Sequence, residues 1–255
     1  MPLTICQTFK ICSQEIFKWI TKQNSVNEES ISDWLMYKLN DLNSNIKSIQ
    51  FNRFEESHTT GADYELWVIN HTNANRYRIQ AKRLRTGQDQ YYGIAYTNKS
   101  GMQIEKLIID AEKKDYTPLY SFYNNENIYS KCAQNIKNEG VYIADAYELF
   151  EEIINKPKTH ISSDFLISKS VPISCLFCCP LTHYFNNRFI ERYLNKDSSK
   201  QGIYSLENLP NYVNTILNSK QKNIEEWFKK EFSYDLNNVC GLIVIDNRNR
   251  NKNII

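Results

Sequence analysis

Asp63, Gln80 and Lys82 are the residues of this sequence whose types and spacing suit chemistry best. A carboxylate, an amide and an ammonium brought together form a set for hydrolysing a phosphodiester. Mg2+ takes hard oxygen ligands, commonly one or two protein carboxylates, and keeps its remaining waters. Asp63 fits as the anchor for such a cation, and Mn2+ can substitute for it. The amide carbonyl of Gln80 is a further neutral oxygen, while the Lys82 ammonium can orient an attacking water and offset charge on a phosphate. Glu65, two residues from Asp63 on one strand face, is a reserve carboxylate. The same residues also read as an amphipathic hairpin with charged cross-strand surface pairs, and spacing alone does not choose between the two.

Two strands must position them. From His58 to Arg85 the sequence alternates with period two, which puts Asp63, Glu65 and Trp67 on one face and, in the second half, Arg78, Gln80 and Lys82 on one face. The polar run from Asn70 to Asn75 closes a hairpin. A turn centred between Thr72 and Asn73 sets Asp63 opposite Lys82 and Glu65 opposite Gln80. Before the hairpin, apolar residues at helical spacing predict a first helix over 5–22. A second helix opens with Glu28 and Glu29 after Asn27 or Ser25 as its cap, and a strand covers 46–54. After it, the tyrosine-rich segment 86–101 reads as an exposed loop whose Tyr91, Tyr92 and Tyr96 could stack on splayed bases. A helix over 102–114, an aromatic strand at 118–123, a strand at 140–144, a helix over 144–154 and an apolar strand at 171–179 follow. The last part has helices near 187–194, 206–217 and 223–232 and a final strand at 240–245. Strands alternating with helices in this way predict an α/β fold with a central mixed sheet.

The strings Gly61-Ala62-Asp63 and Gln80-Ala81-Lys82 resemble the PD-(D/E)xK, restriction-endonuclease-like nuclease superfamily, in the Mrr-like branch where glutamine takes the place of the middle acid. The surrounding text, including Glu28-Glu29-Ser30-Ile31-Ser32 and Pro118 to Asn124, is similar to an uncharacterised bacterial family with GAD and QAK motifs. The resemblance covers about residues 25–180, and it implies a restriction-endonuclease-like core over 1–181 with a mostly helical C-terminal elaboration of the same domain over 182–255. It implies Asp63 as the metal-binding acid, Gln80 in the second acid's place and Lys82 as the catalytic lysine. Glu29 matches the acid of the first core helix, and Glu28 is the alternative because the helix phase is open. Gln103 falls at the active-site end of the next helix. The implied activity is Mg2+-dependent cleavage of DNA, in defence against foreign DNA. The other readings are an inactive nuclease-fold module that binds nucleic acid or a protein partner, and an RNA-cleaving nuclease.

Composition bounds these readings. With 255 residues and a net charge of +2, the chain can bury a sizeable core but is not globally basic. Nucleic-acid contact therefore falls to a local patch, for which Arg83, Arg85, Lys99, Gln103 and Lys106 are the candidates. A homodimer is left open. Seven cysteines in no even framework, and no leader segment, predict free thiols in a cytoplasmic setting. Cys175-x-x-Cys178-Cys179 with His183 has half the ligands of a zinc knuckle and no source for the rest, so core packing is the reading for those cysteines. With 7 glycines and no phosphate-cradling glycine loop, nucleotide-binding motifs are absent.

Overall fold

The computed structural model describes residues 2–23, 25–51, 61–84, 90–94, 97–98, 101–132, 137–154, 160–178, 202–219, 225–236 and 239–248. Helix α1 (Ile5–Lys22) is set by a capping box, in which the Thr4 hydroxyl accepts from the Gln7 N–H and the Gln7 side chain accepts from the Thr4 N–H. Helix α2 (Glu28–Leu42) has Asn27 at its N-cap without a side-chain capping hydrogen bond, so the two glutamates of its first turn are what meets the helix dipole. Strands β1 (Ile46–Gln50), β2 (Tyr64–Ile69) and β3 (Asn73–Arg83) come next, then the short β4 (Gln90–Tyr92), β5 (Thr97–Asn98) and β6 (Gly101–Met102). Helix α3 (Gln103–Lys113), strands β7 (Thr117–Tyr123) and β8 (Val141–Asp145), and helix α4 (Ala146–Ile154) follow. The remainder is β9 (His160–Ser162), α5 (Ser163–Ser168), β10 (Val171–Pro172), α6 (Cys175–Cys178), β11 (Ile203–Ser205), a 3-10 turn at Leu206–Asn208, α7 (Asn211–Asn218), α8 (Glu225–Leu236) and β12 (Gly241–Asp246).

The predicted α/β class is what the fold has: a mixed sheet in the order β1-β12-β2-β3-β7-β8-β10, with β11 extending the line of β7 along the start of β3. The pairs β12–β2 and β3–β7 are parallel, and the others in the sheet are antiparallel. Strand alternation feeds two cores. On one face Tyr64, Leu66, Val68, Ile79 and Ala81 pack under α1 and α2; on the other Trp67, Tyr120, Phe122 and Val244 pack under α3, α4, α7 and α8. Strand β12 lies inside the sheet, between β1 and β2. Residues 182–255 therefore supply two strands of the sheet, β11 and β12, as well as helices, and a boundary at residue 181 does not separate the core from an elaboration.

Several local readings need correction. The apolar run 171–179 is a strand only at Val171–Pro172, and Cys175–Cys178 is helical, because a short buried apolar run suits either state. The tyrosine-rich segment is not all exposed. Tyr91 and Ile94 are buried, and β4 pairs with β9. Cys175 packs its Sγ 3.6 Å from that of Cys132 in the core. Cys12, Cys132, Cys175 and Cys240 are buried thiols outside any disulfide, whereas Cys6 is disulfide-bonded and departs from the free-thiol reading. Cys179, His183 and the helix near 187–194 lie outside the described residues. Among those described, no helix is long and apolar enough to cross a membrane.

Candidate active site

Gly61 begins the construction of the site. Its φ is +67°, and a Cβ there would sit 2.7 Å from the Gln103 carbonyl oxygen and 3.0 Å from the Leu107 nitrogen. Only glycine allows the first turn of α3 to lie this close to the entry of β2. Two residues on, the Asp63 backbone is held from both sides: its N–H donates to the Ile79 carbonyl (2.8 Å), and its carbonyl accepts from the Cys240 N–H (2.6 Å). That fixes the carboxylate beside β3, where Oδ2 accepts from the Ala81 N–H at 2.7 Å and from Gln80 Nε2 at 2.5 Å.

Gln80 is 1% exposed, on a strand flanked by β2 and β7. Its Nε2 donates to the Ala81 carbonyl (3.0 Å) as well as to Asp63, and its Oε1 accepts from Gln103 Nε2 (2.8 Å). Lys82 follows on the same face of β3. Its Nζ stands 3.6 Å from Glu28 Oε1, and the other Glu28 oxygen accepts from the Arg83 N–H at 2.8 Å. Burial pushes the Glu28 carboxyl up from its ordinary range, against the pull of Lys82 and the Arg83 N–H, and Glu29 adds to the rise. A cleft of about 180 Å³ joins these groups, lined by Glu28, Glu29, Asp63, Gln80, Lys82 and Gln103, with Ser32, Met36, Tyr64 and Cys240 completing its walls.

The structure thus brings together Asp63, Gln80, Lys82, Gln103 and both first-turn glutamates of α2. The pairing expected within the hairpin is corrected. Asn70 N–H donates to the Asn73 carbonyl (2.8 Å), so the turn is centred on His71 and Thr72, and Glu65 pairs with Arg78 and not with Gln80. Asp63 accordingly meets Gln80 and not Lys82. Of the two helix-start acids it is Glu28, placed second by the sequence reading, that touches Lys82. The buried face of α2 runs through Ser32, Leu35, Met36 and Leu39. One turn back from Ser32 along that face is Glu28, and this phase is the signal that would have favoured it. Cys240 and Ser32 were not anticipated. Cys240 reaches the site only through the non-local pairing of β12, for which the local sequence has no sign.

Glu65 is not in the cleft. It is fully buried, with Oε1 2.9 Å from Arg78 Nη2 and Oε2 accepting from Trp67 Nε1 and the Tyr212 hydroxyl, both at 3.1 Å. Its charge is spent on Arg78, so it does not serve as the reserve ligand. Among the residues chosen for nucleic acid, Arg83 turns its guanidinium to the Val26 carbonyl, Lys106 is half-buried on α3 and Gln103 is engaged with Gln80. Tyr91 is a core residue whose hydroxyl donates to the Tyr123 carbonyl (3.1 Å). Arg85, Lys99, Tyr96 and His58 lie outside the described residues.

The donors that line the cleft are hard oxygens, the carboxylates of Asp63, Glu28 and Glu29, and the Ala81 carbonyl shares the Gln80 NH2 with Asp63. Among the described residues no three acids, histidines or cysteines are gathered closely enough to enclose an ion. This donor set fits Mg2+ or Mn2+, which are held by one or two carboxylates with waters, better than an ion that needs an all-protein cage. One group is turned the wrong way for a ligand, since Gln80 presents its NH2 to Asp63. Comparison with curated proteins gives no match. The sequence model of a family of unknown function, DUF6615, matches residues 5–251, and the chain belongs to that family.

Proposed function

We propose that this protein is a divalent-cation-dependent nuclease that hydrolyses phosphodiester bonds, of the PD-(D/E)xK type with glutamine in the second acid's place, and that foreign DNA is its substrate. The observation that carries the reading is the single cleft in which Asp63, Gln80 and Lys82 meet the acidic start of α2. Asp63 and the Ala81 carbonyl would hold Mg2+ or Mn2+, which when bound supplies Lewis acidity toward the scissile phosphate. Lys82, a donor with three N–H groups and little exposure, orients water for in-line attack and offsets charge on the phosphate. Glu28 positions that ammonium. Gln103 and the Ala81 N–H hold Gln80 and Asp63 in place while the phosphate enters.

The test is cleavage of plasmid and linear DNA, and of RNA in parallel, with and without Mg2+, by the wild type and by Asp63→Asn and Lys82→Ala. Loss of roughly 10²–10³-fold in rate in both variants, and full dependence on the cation, is the expected result. Cleavage that persists in both variants without metal would overturn the mechanism. One observation favours a second reading, a nuclease fold that binds nucleic acid or a partner without cutting it: the Gln80 NH2 occupies the side of Asp63 where a cation would sit. That reading expects salt-dependent DNA binding that is indifferent to Mg2+, and no turnover with any divalent ion.

A further inference from the structure

We infer that Gln80 and Gln103 form a two-amide switch, in which cation binding beside Asp63 requires both side-chain amides to turn together. The inference rests on the proposed cation site and adds to it a positioning residue, Gln103, that sets which end of Gln80 faces the cation.

The present orientation is dictated by chemistry. On one side of the Gln80 amide lie two groups that can only accept, Asp63 Oδ2 at 2.5 Å and the Ala81 carbonyl at 3.0 Å. The NH2 must therefore face them, and the amide oxygen must face Gln103, whose NH2 donates to it at 2.8 Å. Gln80 is 1% exposed, so water does not replace these partners easily. Turning Gln80 alone would set three oxygens against one another with no proton among them, and two NH2 groups against each other on the Gln103 side. Both faults are removed when a cation lies among the three oxygens and Gln103 turns to accept from Gln80. The NH2 of Gln80 thus stands where a cation's charge would be, and the relay through Gln103 makes the two amides move as one. A glutamate in place of Gln80 would have no such preference. The glutamine makes cation binding pay for a rearrangement, so affinity is tuned from α3, outside the ligand set.

A carboxylate at position 103 can only accept. Gln103→Glu should hold the Gln80 NH2 toward α3, turn its oxygen to Asp63 in advance, and tighten Mn2+ binding about tenfold in isothermal titration. Its added charge also attracts cations, so the same substitution is made in a Gln80→Met background, which has no amide to turn. A clearly smaller gain there supports the switch; an equal gain in both, or none with Gln80 present, overturns it while leaving the cation site standing. Absence of Mn2+ binding by both the wild type and Gln103→Glu at millimolar cation would remove the switch and the site reading together. Side-chain amide NMR of the wild type gives a second measure. On Mg2+ titration the NH2 signals of Gln80 and Gln103 should shift along one binding curve, and a Gln103 signal unmoved at saturation overturns the proposal.

Discussion

Glu28 is the residue on which the pH behaviour of the site turns. Its side chain keeps 31% of its surface exposed in the cleft, yet the protein packed around it raises its pKa, so it ionises later than an ordinary glutamate. Below that pH Lys82 lacks its counter-charge. The acid limb of the proposed cleavage is therefore expected above the usual carboxylate range, and Glu28→Gln should lower the rate and abolish that limb. A limb unchanged by the substitution would assign the titration to another group. Glu65, by contrast, behaves as structure. Replacing one member of a fully buried ion pair strands the other, at about 3–5 kcal/mol. Glu65→Ala should lower the urea midpoint accordingly, while the folded fraction binds Mn2+ as the wild type does. Weaker Mn2+ binding without loss of stability would return Glu65 to the cation site.

Among the elements, the hairpin separates what alternation can tell from what it cannot. Period-two patterning places Glu65, Arg78, Gln80 and Lys82 correctly on one face, because a strand's two faces are written into consecutive residues. The register is another matter. Asn70, Asn73 and Asn75 all favour turns, and moving the centre from Thr72–Asn73 to His71–Thr72 slides each pairing by two residues without changing any face. The cluster of site residues was thus legible, whereas the Asp63–Gln80 partnership was not. The docking of β8 on α1 carries a further prediction. Glu139, just before β8, is buried, and burial pushes its carboxyl up to about 6 against the smaller lowering effects of a Ser13 side-chain hydrogen bond and of Lys10. Because the folded value lies above the unfolded one, its favourable contribution is complete below the ordinary glutamate pKa and is lost as pH rises through about 6. Glu139→Gln should add up to roughly 2 kcal/mol at pH 8 and little at pH 4, read from urea unfolding at the two values. Equal effects at both would show that the carboxylate is not the strained group.

At the scale of the whole molecule, the last described segments are tied to the first half of the sheet. Arg76 lies between the rings of Tyr116 and Tyr204, 4.4 and 4.3 Å from their centres, with Trp67 at 5.4 Å, and Tyr212 of α7 reaches the Glu65 carboxylate. Trp67 faces Arg76 across the β2–β3 hairpin, but the ties of Arg76 to Tyr116 and Tyr204 and of Tyr212 to Glu65 join residues far apart in sequence and follow from no local pattern. The position of β12 has a consequence in time. While the chain is being made, β1 and β2 leave the ribosome with a gap between them that only a much later segment can fill, and the Cys240 N–H that pins Asp63 arrives with that segment. A nascent chain, or one broken off early, holds Asp63, Gln80, Lys82 and Glu28 of the proposed catalytic set without the frame that aligns them. For a protein proposed to cut nucleic acid, that order of synthesis would act as a safeguard, withholding the proposed activity until β12 has been made.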